Sequence, residues 1–198
     1  SGVTPSAWTS VIDCTVAPAA QGYSPLSFFK TTESSTIKKY LYYHTSTNKL
    51  SRYGDISGTP TETTVFGTLS GLTGTTSEKL CHIVDSGTLF IANGNYIAEV
   101  TSQGNFIDKA YTLPTGLVAV DMTPFVLSTG GDYMAILCQD SLDPNHSIII
   151  LWDKVATSGF LVKIIVSNGN PQWIQRFGSY YLVSTLSSDG NFRIYQLN

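Results

Sequence analysis

The stretch TLFIANGNYIAEVT, from Thr88 to Thr101, consists of two short apolar strands on either side of a tight turn. The turn at its centre runs from Asn93 to Asn95 and contains the Asn93-Gly94 pair, which is typical of turns. The same pattern of strand, polar turn and strand recurs about every 45 residues. The other copies run from Ile37 to Ile56, from Asp132 to Asp153 and from Tyr180 to Leu197. This repeat predicts one small antiparallel sheet per copy.

Further apolar runs flank each hairpin and extend it to a larger sheet. A leading strand precedes all four copies, beginning at Pro25, Lys79, Val118 and Gln172. A trailing strand follows three of them, beginning at Thr63, Ile107 and Phe160. The fourth copy runs to Asn198 without one, whereas AWTSVIDCTVA, from Ala7 to Ala17, has no hairpin partner nearby. We therefore expect this N-terminal strand to complete the last sheet.

The repeat predicts a closed ring, because one small sheet cannot bury both of its faces while radially packed sheets can. The chain resembles the β-propeller superfold in this respect, and it is similar to the four-bladed, hemopexin-like class in length alone. The sequence has no Trp-Asp repeat at blade ends, since Trp152-Asp153 is a single pair, and it has no double-glycine kelch signature. The prediction is an all-β, four-bladed β-propeller in a single domain, 1–198; a β-sandwich and a fragment of a larger propeller are the alternatives. The predicted blades span about 25–72, 79–115, 117–168, and 171–198 plus 7–17.

Composition narrows the classes of partner. Hydrophobic residues make up 42% of the chain and suffice for a core, whereas charged residues are 13%, about half the usual share. The net charge is -3, and the lysines and arginines are spread without a cluster, which argues against nucleic-acid binding. No apolar stretch approaches the length of a membrane-spanning helix, so we expect no membrane insertion.

No motif indicates catalysis, a cofactor or a metal site. Cys14, Cys81 and Cys138 fall within apolar strands, as buried thiols do, and the histidines form no metal-binding pair. Four aspartates at strand ends of different copies could meet around the ring axis, although aspartate at such places usually caps turns. They are Asp55, Asp85, Asp121 and Asp153. We accordingly predict no catalytic residue, no bound metal and no cofactor.

A candidate binding face follows from the propeller prediction. The loops that join second to third strands, and those that join blades, emerge on one face, which is rich in short polar residues with aromatic rings near them. Such residues suit sugar hydroxyls and sugar rings, and they also suit a wet protein interface. The candidates are Asn93, Asn95, Asp143, Asn145, Asp189, Asn191, Trp152 and Trp173.

Three functions are compatible with these features. The favoured hypothesis is a non-enzymatic interaction or assembly module that docks on protein partners, as a structural or accessory component of a virus particle or surface appendage. The first alternative is a lectin that binds surface glycans. The second is a hydrolase with carboxylates around the propeller channel, which would need two facing acids. The predicted location is extracellular, or on the surface of a virion or appendage.

Overall fold

The computed structural model describes residues 25–54, 61–74, 78–127 and 130–197, and the regular elements in these ranges are all β-strands. They form four antiparallel sheets, each with its strands in sequence order. Sheet 1 contains β1 (Ser27–Glu33), β2 (Thr36–Ser46), β3 (Lys49–Gly54) and β4 (Thr61–Thr68). Sheet 2 contains β5 (His82–Asp85), β6 (Thr88–Asn93), β7 (Tyr96–Val100) and β8 (Phe106–Thr112). Sheet 3 contains β9 (Leu117–Val126), β10 (Asp132–Asp140), β11 (His146–Trp152) and β12 (Val162–Asn168). Sheet 4 contains β13 (Asn170–Phe177), β14 (Tyr180–Leu186) and β15 (Phe192–Leu197).

The central hairpin of sheet 2 shows how the sequence fixes its turn. Asn93 pairs with Tyr96, so the turn consists of Gly94 and Asn95 and is one residue shorter than the predicted turn, 93–95. Gly94 has a φ of 62°, and a Cβ at that position would lie 2.2 Å from the carbonyl oxygen of Gly71. Glycine is therefore required both by the backbone conformation and by the close approach of a neighbouring loop.

The sheets are arranged as the blades of a propeller. Their first strands meet in turn, with β1 against β5, β5 against β9 and β9 against β13. One buried apolar cluster lies between sheets 1 and 2, a second between sheets 2 and 3, and a third between sheets 3 and 4. The predicted all-β fold with propeller-like sheets is confirmed. The proposed closing strand, 7–17, lies outside the described residues.

Sheet 3 is buried on both faces because it lies between sheets 2 and 4. Alternate residues of β10 belong to different clusters: Met134 and Ile136 face sheet 2, whereas Ala135 and Leu137 face sheet 4. This explains why its hairpin reads as two continuous apolar runs instead of alternating. Within the described ranges, no helix has the length and apolar character needed to cross a bilayer.

Candidate functional site

A half-open cavity of about 340 Å³ lies at the end of sheet 3 where β11 leads into β12. The loop 153–161 forms most of its wall. The lining residues are Tyr133, Trp152, Asp153, Ala156, Ser158, Gly159, Phe160 and Leu161. The cavity thus combines three aromatic side chains with a carboxylate and a hydroxyl, and it has the size of a small-ligand site.

Trp152 forms the buried base of this cavity. It is the last residue of β11 and is only 2% exposed. Its ring stacks on Tyr111 at a centroid distance of 4.6 Å and meets the edge of Phe90 at 5.6 Å. The indole Nε1 donates a hydrogen bond of 2.7 Å to the carbonyl oxygen of Ala156. The indole N–H of Trp152 therefore stabilises the loop 153–161, and its ring packs in the interface between sheets 2 and 3.

Sheet 2 holds the same loop from the other side. The hydroxyl of Tyr111 donates to the carbonyl oxygen of Gly159, and the amide of Thr112 donates to the carbonyl oxygen of Thr157 at 2.9 Å. The cavity wall is thereby anchored to two blades. Its shape is set before any ligand arrives, which lowers the entropic cost of binding.

Asp153 supplies the cavity's carboxylate. Its Oδ1 accepts hydrogen bonds of 2.9 Å from the amides of Val155 and Ala156. These two bonds, first that of Ala156 and then that of Val155, lower the pKa of Asp153. The carboxylate is exposed and stays ionised at neutral pH, so it can accept hydrogen bonds from a ligand.

An ion-pair cluster adjoins the cavity. Lys154 Nζ lies 2.6 Å from Asp85 Oδ2 and 2.5 Å from Asp132 Oδ2, and Ser86 Oγ donates to Asp132 at 2.8 Å. Burial disfavours the charge of Lys154, but the hydrogen bonds to Asp132 and Asp85 outweigh it and raise its pKa. The pKa of Asp132 is lowered mainly by its bond to Lys154. The cluster joins sheets 2 and 3 beside the cavity.

A second polar cluster lies among the first strands. Asp121 on β9 accepts hydrogen bonds from the thiol of Cys81 at 3.0 Å, the amide of Met122 at 2.9 Å and the amide of Ile174 at 2.8 Å. Burial raises the pKa of Asp121, although these three bonds oppose the shift. Asp121 thus connects sheets 2, 3 and 4 and has its oxygens occupied by protein donors.

His44 and His82 form a pair between sheets 1 and 2. Their Nε2 atoms are 2.8 Å apart, His44 Nδ1 lies 3.0 Å from the carbonyl oxygen of Thr47, and His82 Nδ1 lies 3.2 Å from Ser27 Oγ. Since a carbonyl only accepts, His44 Nδ1 carries a proton, His82 Nε2 donates to His44 Nε2, and Ser27 donates to His82 Nδ1. Burial lowers the pKa of both histidines, and the mutual charge lowers that of His82 further. The pair is neutral and fully hydrogen-bonded.

Two of the residues predicted for the binding face, Asn93 and Trp152, are placed differently from the prediction. Asn93 is buried; its Oδ1 accepts from the amide of Gly71 at 2.8 Å, and its Nδ2 donates to the carbonyl oxygen of Asp108 at 2.7 Å. It therefore connects two loops and is not available to a ligand. Trp152 lies at the opposite end of its sheet from the hairpin loop 140–146, which differs from the expected placement.

Two of the remaining candidates, Asp143 and Asp189, cap turns. Asp143 Oδ1 accepts from the amide of Asn145, and Asp189 Oδ1 accepts from the amide of Asn191, each at 3.0 Å. Asn95 is exposed, and Trp173 on β13 is half-buried. These contacts are ordinary turn chemistry.

The aspartates considered for a channel site that the structure describes each contact different partners. Asp85 binds Lys154, Asp121 binds three protein donors, Asp153 lines the cavity, and Asp55 lies outside the described residues. Among the described residues, no group of three or more His, Cys, Asp or Glu side chains could hold a metal ion. Cys81 and Cys138 are free, buried thiols in these ranges, and Cys14 lies outside them.

Sequence reasoning missed the cavity loop. Phe160 and Leu161 were predicted to begin a strand, but β12 begins at Val162, which leaves both side chains on the cavity wall. Tyr133 and Lys154 belong to no sequence motif that would indicate a functional role. Their roles depend on contacts with residues of another strand or sheet.

Comparison with known proteins finds similarity to solved structures at low sequence identity. No known protein family and no curated protein matches the chain. Among solved structures, the computationally designed Ika4 protein is similar at 7% identity and a TM-score of 0.45, over 94% of this chain and 100% of that one. An endo-arabinase from Bacteroides thetaiotaomicron is similar at 14% identity and a TM-score of 0.49, over 92% of this chain and 78% of that one. An alpha-L-arabinofuranosidase from Clostridium thermocellum is similar at 12% identity and a TM-score of 0.42, over 86% of this chain and 67% of that one.

This comparison contradicts the main functional prediction. That prediction was a non-catalytic assembly module of a virus particle or appendage, whereas two of the similar structures are named as an endo-arabinase and an alpha-L-arabinofuranosidase.

Proposed function

We propose that this protein binds carbohydrate in the cavity at the end of sheet 3. The observation that carries the proposal is the lining: the rings of Phe160 and Tyr133 stand beside the carboxylate of Asp153 and the hydroxyl of Ser158. Sugar rings present an apolar face of C–H groups and an edge of hydroxyls. An aromatic wall beside hydrogen-bonding groups matches both.

The accessibility of these groups supports the proposal. Phe160 is 48% exposed, and Asp153 and Ser158 are exposed as well. Trp152, by contrast, is buried and keeps its indole N–H on Ala156. We therefore assign direct contact with the sugar to Phe160, Tyr133 and Asp153, and a supporting role to Trp152.

We expect binding at this cavity without hydrolysis. Glycoside hydrolases of the common kind use two carboxylates about 5–10 Å apart. Asp153 is the one carboxylate among the described residues that line the cavity. Asp121, whose raised pKa would suit a general acid, is held by Cys81, Met122 and Ile174. The expected partner is a surface glycan, and an extracellular location stays a prediction.

A glycan array tests the proposal directly. The labelled protein should bind a restricted set of printed glycans, and Phe160→Ala should weaken that binding about tenfold or more by removing the stacking surface. Phe177→Ala is the matched control, because Phe177 is 70% exposed on sheet 4 and does not line the cavity. Chromatography of the bound glycan should detect no cleavage products.

Two results would count against the proposal. Absence of binding to every printed glycan would refute carbohydrate recognition. Equal loss of binding in Phe160→Ala and Phe177→Ala would place recognition elsewhere on the protein.

A further inference from the structure

We infer that the cavity prefers glycans carrying a protonated amine, as in glucosamine oligomers, over their N-acetylated or acidic counterparts. This inference rests on the proposed function and names the class of sugar that the same site takes. It follows from the distribution of charge on and beside the cavity wall.

The cavity presents an ionised carboxylate next to aromatic rings. Asp153 Oδ1 is used by two backbone amides, and its pKa is lowered. Both of these amides donate to Oδ1, which leaves Oδ2 to accept a hydrogen bond from a ligand. A carboxylate together with the faces of Tyr133 and Phe160 is a setting that favours a cation, through charge and through the ring quadrupoles.

The ammonium beside the cavity is fully engaged. Lys154 follows Asp153 in the chain, and its side chain is 10% exposed. Its three N–H donors have three acceptors: Asp85 Oδ2 at 2.6 Å, Asp132 Oδ2 at 2.5 Å and Ser86 Oγ at 3.3 Å. Lys154 consequently has no donor left for the carboxylate of an acidic sugar.

The balance of charge around the wall is negative. Asp85, Asp132 and Asp153 contribute three carboxylates against the single ammonium of Lys154, which leaves two negative charges. Asp132 directly precedes Tyr133, so its charge is within a Debye length of the cavity. Lys163, on β12 and two residues past Leu161, is exposed and offsets part of this field.

The test compares glucosamine oligomers with N-acetylglucosamine oligomers of equal length, at low salt and at a pH where the free amine is protonated. The amine-bearing oligomer should bind about tenfold more tightly, and the difference should shrink at high salt. Oligogalacturonate should bind more weakly than either. Asp132→Asn should reduce the preference, because it removes one charge outside the lining, whereas Lys163→Met should increase it.

The outcomes separate the inference from the proposed function. Equal or tighter binding of the N-acetylated oligomer overturns the inference and leaves carbohydrate binding in place. Binding of some other neutral glycan on the array, with no binding of glucosamine oligomers, also overturns it. Failure of every glycan to bind refutes the proposed function, and the inference falls with it.

Discussion

Replacing Asp121 with alanine should lower the free energy of unfolding by about 3–5 kcal/mol, because three hydrogen-bond donors lose their acceptor at once. The substitution leaves the thiol of Cys81 and the amides of Met122 and Ile174 without their acceptor. Each buried donor left unsatisfied costs about 1–3 kcal/mol. Because Cys81 directly precedes β5 while Met122 lies on β9 and Ile174 on β13, the loss should appear as a lower midpoint of the whole unfolding transition.

Two variants sharpen this prediction, which is checked by urea unfolding monitored by tryptophan fluorescence. Asp121→Asn retains one acceptor oxygen and should lose about half as much stability. Asp153→Ala removes a carboxylate that is exposed and should cost less than either. If Asp121→Ala unfolds at the same urea concentration as the parent protein, Asp121 does not connect the sheets as described.

Acidification should destabilise the protein through the pair of His44 and His82. Burial lowers the pKa of both histidines in the folded state, so the unfolded chain binds more protons below its own histidine pKa, near 6.5. Their contribution to stability is therefore complete above about pH 6.5 and declines as the pH falls below it. The slope should approach about 1.4 kcal/mol per pH unit for each histidine.

Burial outweighs the hydrogen bonds to the backbone of Thr47 and Ser46, which oppose the shift, so the pKa of His44 stays lowered. Burial also lowers the pKa of His82, and the charge of His44 lowers it further. Burial raises the pKa of Asp121 and of Glu99, so protonation of these carboxylates favours the folded state on acidification. Carboxylates titrate at lower pH than histidines, so this gain comes at lower pH than the histidine effect. The histidine effect should therefore dominate between about pH 6.5 and pH 5.

Urea midpoints measured across this pH range check the prediction. The double variant His44→Gln/His82→Gln should have a flatter pH dependence, whatever its absolute stability. His146→Gln is the control, since the side chain of His146 is 46% exposed and lies 3.6 Å from Asp143. A slope that is unchanged in the double variant, or that is flattened by His146→Gln, would show that the pair does not control acid stability.

The hairpins could be predicted from the sequence because each is a local feature. Turn dipeptides such as Asn93-Gly94 and apolar runs such as those of β10 and β11 specify strand, turn and strand without reference to distant residues. The repeat then indicated radial packing, which the successive contacts of β1, β5, β9 and β13 confirm. Closure by 7–17 stays a prediction.

The polar sites could not be predicted, because they depend on how the sheets pack together. His44 and His82 are 38 residues apart and meet only when sheets 1 and 2 are in contact. Asn93 looked like a ligand-binding side chain, yet the loop at Gly71 and the strand at Asp108 use its amide. Phe160 was hidden within an apolar run that looked like the start of a strand.

The most direct test of the carbohydrate-binding account is a ¹H–¹⁵N NMR titration with the glycan that binds best on the array. The account predicts chemical-shift changes concentrated in the loop 153–161 and at Tyr133, with the hairpin loops 140–146 and 187–191 unaffected. Shifts concentrated in those hairpin loops, with none in the cavity, would contradict it.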